Sequence, residues 1–131
     1  MAYVARKIPF VGTPDTNPET KPFFEGADAG KLMLRRCTSC KKVHWYPRAI
    51  CPFCMSPDTE WVPGSGKGKI YSYSHMARAN LTIAYVTLEE GPSMMTNIVD
   101  CDPDALKIGQ AVKLVFKPSD KEYPVPVFTP A

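Results

Sequence analysis

No stretch of the chain approaches the roughly 20 apolar residues that cross a bilayer as a helix. The opening residues, Met1-Ala2-Tyr3-Val4-Ala5-Arg6-Lys7, lack the apolar core of a secretory signal. A soluble, cytoplasmic protein is therefore expected. Histidine is scarce, with His44 and His75 alone. No serine sits in a nucleophile elbow and no phosphate loop is present. A self-contained set of nucleophile and base is hard to assemble from these residues, so no activity is expected of the chain by itself. Acidic residues are missing between Asp28 and Asp58, a stretch that holds Lys31, Arg35, Arg36, Lys41, Lys42 and Arg48. Cysteine comes in an odd number, five, which argues against a secreted disulfide scaffold.

Four of those cysteines form two Cys-x-x-Cys pairs, Cys37/Cys40 and Cys51/Cys54, with ten residues between the pairs. Such a pair folds into a tight turn that aims both sulfurs at one spot. Two turns supply four thiolates, the set that a structural zinc ion takes in tetrahedral geometry, with no open position for water. Redox dithiols are the competing reading, and two matched pairs weigh against it. The fifth, Cys101, is read as a half-buried small hydrophobe near a strand end rather than a nucleophile. Formal charge is +3, and four thiolates with one zinc would lower it to about +1. The basic stretch around the metal suits a polyanion such as phosphate or a solvated surface.

With 131 residues, 44% of them hydrophobic, the chain can bury a modest core that a metal staple would strengthen. Of fourteen prolines, eight crowd the two ends (Pro9, Pro14, Pro18 and Pro22; Pro118, Pro124, Pro126 and Pro130), as floppy tails or as extended straps on a partner. Asn17-Pro18-Glu19 reads as a helix start, and a short helix should run through Phe23, Phe24 and Ala27 to end near Gly30. Residues 32–34, 43–46 and 59–62 read as short strands around the cysteines. After the turn Pro63-Gly64-Ser65-Gly66, strands are expected at 69–76, 81–88, 94–99 and 111–116. About five short strands in this half fit a small closed barrel, with the five-stranded OB-fold as leading candidate. The expected class is mainly β. The expected divisions are an N-terminal arm and short helix (1–30), a rubredoxin-like zinc ribbon (31–63), and an OB-fold barrel with a C-terminal Pro-rich arm (64–131).

The order of these parts resembles one family, the thiolase-associated zinc-ribbon/OB-fold proteins. The resemblance rests on Phe23-Phe24-Glu25-Gly26, Gly30 to Cys37, Tyr46-Pro47-Arg48, Cys51-Pro52-Phe53-Cys54, Gly64 to Ser72, Val86 to Gly91 and Ile108 to Val112. One departure stands out: Lys41 and Met55 follow the cysteine pairs where many members carry glycine. The resemblance implies a non-catalytic subunit of a heteromeric acyl-CoA enzyme whose thiolase-like partner carries the catalytic residues. That partner could be a thiolase, aldolase or acyltransferase, as in aromatic-acid or steroid side-chain degradation. The small subunit would stabilise the complex and help hold CoA or pass intermediates on. Lys67, Lys69 and Arg48 are then candidates for the CoA phosphates, with Arg78, Arg35 and Arg36 as possible helpers.

His44 lies between the cysteine pairs, but with four sulfurs present it is expected on a strand surface. Tyr71, Tyr73 and His75 stand at strand spacing and should share one face. That face is read as barrel core or subunit interface, or, in a nucleic-acid-binding protein, as a stacking platform. Against nucleic acid, residues 70–131 carry five basic and seven acidic side chains.

Overall fold

The computed structural model describes residues 18–118 and 124–131. The N-terminal arm and the expected Asn17 cap lie outside the described residues. Pro18–Thr20 form a 3-10 turn that leads into α1, Lys21–Asp28. Pro22 falls in the first turn, where a missing N–H breaks no helical bond. Phe24 and Ala27, three apart, are buried on one face. The helix ends in a Schellman motif: Gly30 N donates to Ala27 O at 3.0 Å and Lys31 N to Gly26 O at 2.8 Å. This closure needs a left-handed residue, and Gly30 supplies it at φ 76°.

Three short strands follow: β1 (Met33–Cys37), β2 (Val43–His44) and β3 (Thr59–Pro63), in the antiparallel order β2-β1-β3. The second sheet comprises β4 (Lys67–Met76), β5 (Leu81–Leu88), β6 (Ser93–Asn97), β7 (Ala111–Lys117) and β8 (Val125–Pro130), in the order β6-β5-β4-β7-β8. Its ends meet where Ile98 bridges Phe128 and Val99 N donates to Phe128 O at 2.9 Å. The described residues are thus mainly β, with one short α-helix, a four-cysteine ribbon and a curled five-stranded sheet of OB type.

The C-terminal stretch expected as a Pro-rich arm is extended, but it lies on its own barrel as β8. Its prolines are placed to permit this. Ala131 N bonds Ala111 O on the β7 side, whereas Phe128 O accepts from Val99 on the other. Pro126 and Pro130 share the alternation of Phe128, so their missing N–H groups would have pointed away from β7.

The two sheets share one apolar interior. Leu32 and Leu34 from the ribbon side join Ile70, Val86, Leu88, Met94, Ile98, Val112 and Phe128 in a single cluster. Phe23, Trp45 and Tyr73 pack against it. Cys101 is half-buried against the same cluster. Burial, with Asp102 and Asp100 nearby, pushes its thiol up, as befits an unreactive small hydrophobe.

In β4 the register to β5 slips between Ile70, opposite Val86, and Ser72, opposite Tyr85. Tyr71 is the extra residue of a β-bulge, and the alternation inverts across it. Tyr73 and His75 turn toward the interior: Tyr73 Oη donates to Leu106 O at 2.9 Å, and His75 Nδ1 lies 2.9 Å from the hydroxyl of buried Thr82. Tyr71 stays outside. The single face expected for Tyr71, Tyr73 and His75 is therefore not formed, because the bulge interrupts the period of two.

Phe128 is fully buried at the seam that closes the sheet. Phe128→Ala should lower unfolding stability by about 3–5 kcal/mol, read as a reduced midpoint in urea. A loss below about 1 kcal/mol would contradict its place at the centre of the core.

Candidate metal centre

Each cysteine pair closes by the same hydrogen bonds. Lys41 N donates to Cys37 O at 3.0 Å, and Cys37 N to Lys42 O at 2.9 Å. In the second turn, Met55 N donates to Cys51 O at 2.9 Å, and Cys51 N to Ser56 O at 2.9 Å. Both turns need a left-handed residue right after the pair. Lys41 stands at φ 67° and Met55 at φ 65°. These are the two positions at which the sequence departs from glycine, and the side chains adopt the glycine conformation all the same.

The four Sγ atoms lie within 4.8 Å of one another, with Cys37–Cys54 at 3.6 Å and Cys40–Cys51 at 3.7 Å. Four sulfurs held tetrahedrally at the usual zinc–sulfur bond length stand about 3.8 Å apart, so the cluster fits that ion. The N–H groups of Cys40 and Phe53 point at Cys37 Sγ and Cys51 Sγ, each at 3.4 Å. The backbone bond from Cys40 is the main cause that draws Cys37 down to about 7. Burial raises Cys51, but bonds from the Cys54 and Phe53 N–H groups outweigh it and leave it lowered. At Cys54 the Ser56 N–H lowers the thiol, yet burial and the three neighbouring thiols push it up to about 11. Crowded thiols resist becoming four anions together unless a cation sits among them.

The loop between the pairs is clamped from three sides. His44 Nε2 donates to Arg48 O at 3.2 Å. Ala49 N donates to Glu19 Oε1 at 2.5 Å, and Thr59 Oγ1 donates to Ala49 O at 2.6 Å. Arg48 also pairs with Glu19 at 3.8 Å and lies over the Tyr46 ring at 4.8 Å. His44 is thus no surface residue. It is 2% exposed, because holding the loop requires its ring inside. Sequence reasoning missed Glu19 and Thr59 as clamps. Glu19 reads as an ordinary first-turn acid, and nothing local reveals its reach across 30 residues.

The other cations divide. Arg35 lies opposite His44 and Trp61 in the ribbon sheet, donates to Thr59 Oγ1, and stacks over the Trp61 ring at 4.8 Å. Burial lowers its guanidinium, and Glu19 opposes that shift. Arg36 pairs with Glu60 at 3.8 Å on the surface. Arg78 is exposed in the turn after β4, at the far end from Lys67. Lys67 and Lys69 project outward from β4, and Lys113 of β7 stands directly opposite Lys67. These three lysines line one groove of about 610 Å³ with Thr87, Glu89 and Ala111. Arg48 is not part of it. Lys113 had no signal in sequence, because its place depends on strand register.

Lys41→Gly and Met55→Gly should each raise stability by about 0.5–1 kcal/mol, since a Cβ is disfavoured in the left-handed region. Thermal unfolding of the zinc-loaded protein measures this, and a lowered midpoint would count against strain at the turns.

Comparison with known proteins agrees with this architecture. Residues 24–60 match the family model described as "ChsH2, rubredoxin-like zinc ribbon domain". Residues 61–117 match "ChsH2, C-terminal OB-fold domain". A "Probable enoyl-CoA hydratase alpha subunit" of Thermomonospora curvata is 36% identical over 125 residues, covering 90% of this chain but 39% of that protein. A "DUF35 domain-containing scaffold protein" of Methanothermobacter thermautotrophicus is 40% identical over 91 residues, 63% of this chain and 68% of that one. Among solved structures, a chain of the "Ltp2-ChsH2(DUF35) aldolase" superposes with a TM-score of 0.78 at 34% identity, over 90% of this chain and 98% of that chain. A DUF35-family protein from Sulfolobus solfataricus shares the fold, with a TM-score of 0.65 at 16% identity. With both halves of the chain matched in order and the cysteine cluster in place, the protein belongs to the ChsH2/DUF35 family of zinc-ribbon/OB-fold proteins.

Proposed function

We propose that this chain is a non-catalytic subunit of a heteromeric acyl-CoA enzyme of thiolase type, working in the cytoplasm, with a structural zinc held by Cys37, Cys40, Cys51 and Cys54. The observation that carries the reading is the likeness to nearly the whole of a chain from the "Ltp2-ChsH2(DUF35) aldolase", with the ChsH2 family models matching both parts of this chain. The relative described as an enoyl-CoA hydratase subunit adds the acyl-CoA setting. The four sulfurs support a structural ion, because a full set of protein thiolates leaves no position for substrate. The partner supplies nucleophile and base. This chain supplies a rigid surface.

In this reading Lys67 and Lys69 face the phosphates of CoA held by the partner. Both are exposed, and neither pairs with a carboxylate among the described residues. Arg48 contributes less, since meeting an anion means leaving Glu19.

Co-expressed with its thiolase-type subunit, the chain should purify as a complex that turns over acyl-CoA, and alone it should be inert. Cys51→Ser should lose zinc, measured by metal analysis, and lose the complex with it. Turnover by the isolated chain, or a metal-free variant that still assembles, would sink the reading. In the complex, Lys67→Glu and Lys69→Glu should each raise KM for acyl-CoA about tenfold with kcat nearly unchanged, the mark of a binding contact. An unchanged KM removes these lysines from the site.

A further inference from the structure

The outer face of the barrel mixes polar and apolar side chains, and its most exposed large ones form a row. Outward residues on β4, β5 and β6 include the polar Lys69, Ser74, Thr87, Ser93 and Asn97, with the apolar Met76, Leu81 and Ile83 toward one end. Between them, Tyr85 stands opposite Met95 on one side and the bulge of Tyr71 and Ser72 on the other. Tyr71 is 69% exposed, Tyr85 48% and Met95 62%. Register places the three side by side across three strands. The row does not stop at the barrel. Met95 also lines a groove of about 210 Å³ with Phe23, Trp45, Tyr46 and Val125, where helix, ribbon and barrel meet.

We infer that the row Tyr71–Tyr85–Met95, continued by the groove at Trp45 and Tyr46, is the docking face for the thiolase-type subunit. This assignment rests on the function proposed above. Tyrosine and methionine are enriched at protein interfaces, where large side chains are buried in partner pockets. Three large side chains left this exposed add little to the chain's own packing. Charge identifies the occupant. One residue along β4 from the row on the same face is Lys69, and beyond it Lys67 faces Lys113. Two like charges directly opposite each other repel. No described carboxylate pairs with any of the three. The complementary surface is apolar at its centre and anionic at this border. An enzyme subunit with CoA phosphates at its rim offers both. The register of Ile70 with Val86 sets Tyr71 outside beside Tyr85, and the bulge then turns Tyr73 in.

The test titrates the intact zinc-loaded chain into the thiolase-type subunit saturated with free coenzyme A, by calorimetry. Tyr71→Ala and Tyr85→Ala should each weaken binding about thirtyfold, the size of an interface hot spot. Ile108→Ala removes an exposed apolar side chain elsewhere and should leave binding within twofold. Lys113→Glu should weaken binding to the coenzyme A-loaded subunit more than to the empty one. Unchanged melting temperature and zinc content certify that the variants are folded. Tyrosine variants that bind like the original chain overturn the docking face and leave the accessory-subunit reading intact. A Lys113→Glu effect equal with and without coenzyme A overturns the anionic border. Self-association of the chain that Tyr85→Ala abolishes gives the face to a second copy and overturns the assignment. If the original chain binds no thiolase-type subunit, the proposed function fails and this face with it.

Discussion

Four sulfurs must meet at one point, and the rest of the ribbon is arranged to let them. Each turn can aim its pair inward only by passing through a left-handed residue, and Lys41 and Met55 accept that conformation. The two turns lie on opposite sides of a ten-residue excursion, so the excursion has to return to a fixed place. Glu19, His44 and Thr59 fix it through backbone groups of Arg48 and Ala49. Those bonds go to backbone, and the Arg48 side chain adds an ion pair to Glu19 beside them. Cys37 closes β1, and the same strand holds Leu34 in the barrel's interior. The geometry of the sulfur cluster is thereby passed to the core.

The bulge in β4 is the second determinant of the molecule's surface. A ten-residue strand of strict alternation would present Tyr71, Tyr73 and His75 together. One extra residue sends Tyr73 to the carbonyl of Leu106 and His75 to Thr82, and leaves Tyr71 in solvent. Tyr71 keeps the place beside Tyr85 that the pairing of Ile70 with Val86 gives it. A single irregularity in hydrogen bonding thus parts Tyr73 and His75 from Tyr71.

Much of this was legible in the residues. Cysteine spacing named the metal cluster, turn chemistry placed the break between β3 and β4, and β-branched runs placed β5 and β7 close to their observed limits. Missing glycines after the cysteine pairs even marked the two strained positions. What could not be read was everything that depends on long-range pairing. Pro126 and Pro130 argue against a strand by composition, and only the direction of each absent N–H relative to β7 shows why β8 forms. His44 has the polarity of a surface residue, and its burial follows from a carbonyl four residues on that the loop brings round. A bulge has no signature in a sequence that alternates regularly through it. Lys113 acquires meaning only when β7 is laid against β4.

Family models divide this chain after residue 60, a natural place to imagine two independent pieces. The interior ignores that division: Leu32 and Leu34 belong to the same apolar cluster as Ile70, Val86 and Phe128. A scissor cut there would leave each fragment with a raw greasy flank. Grafting either part onto a relative would therefore demand re-tailoring of the other.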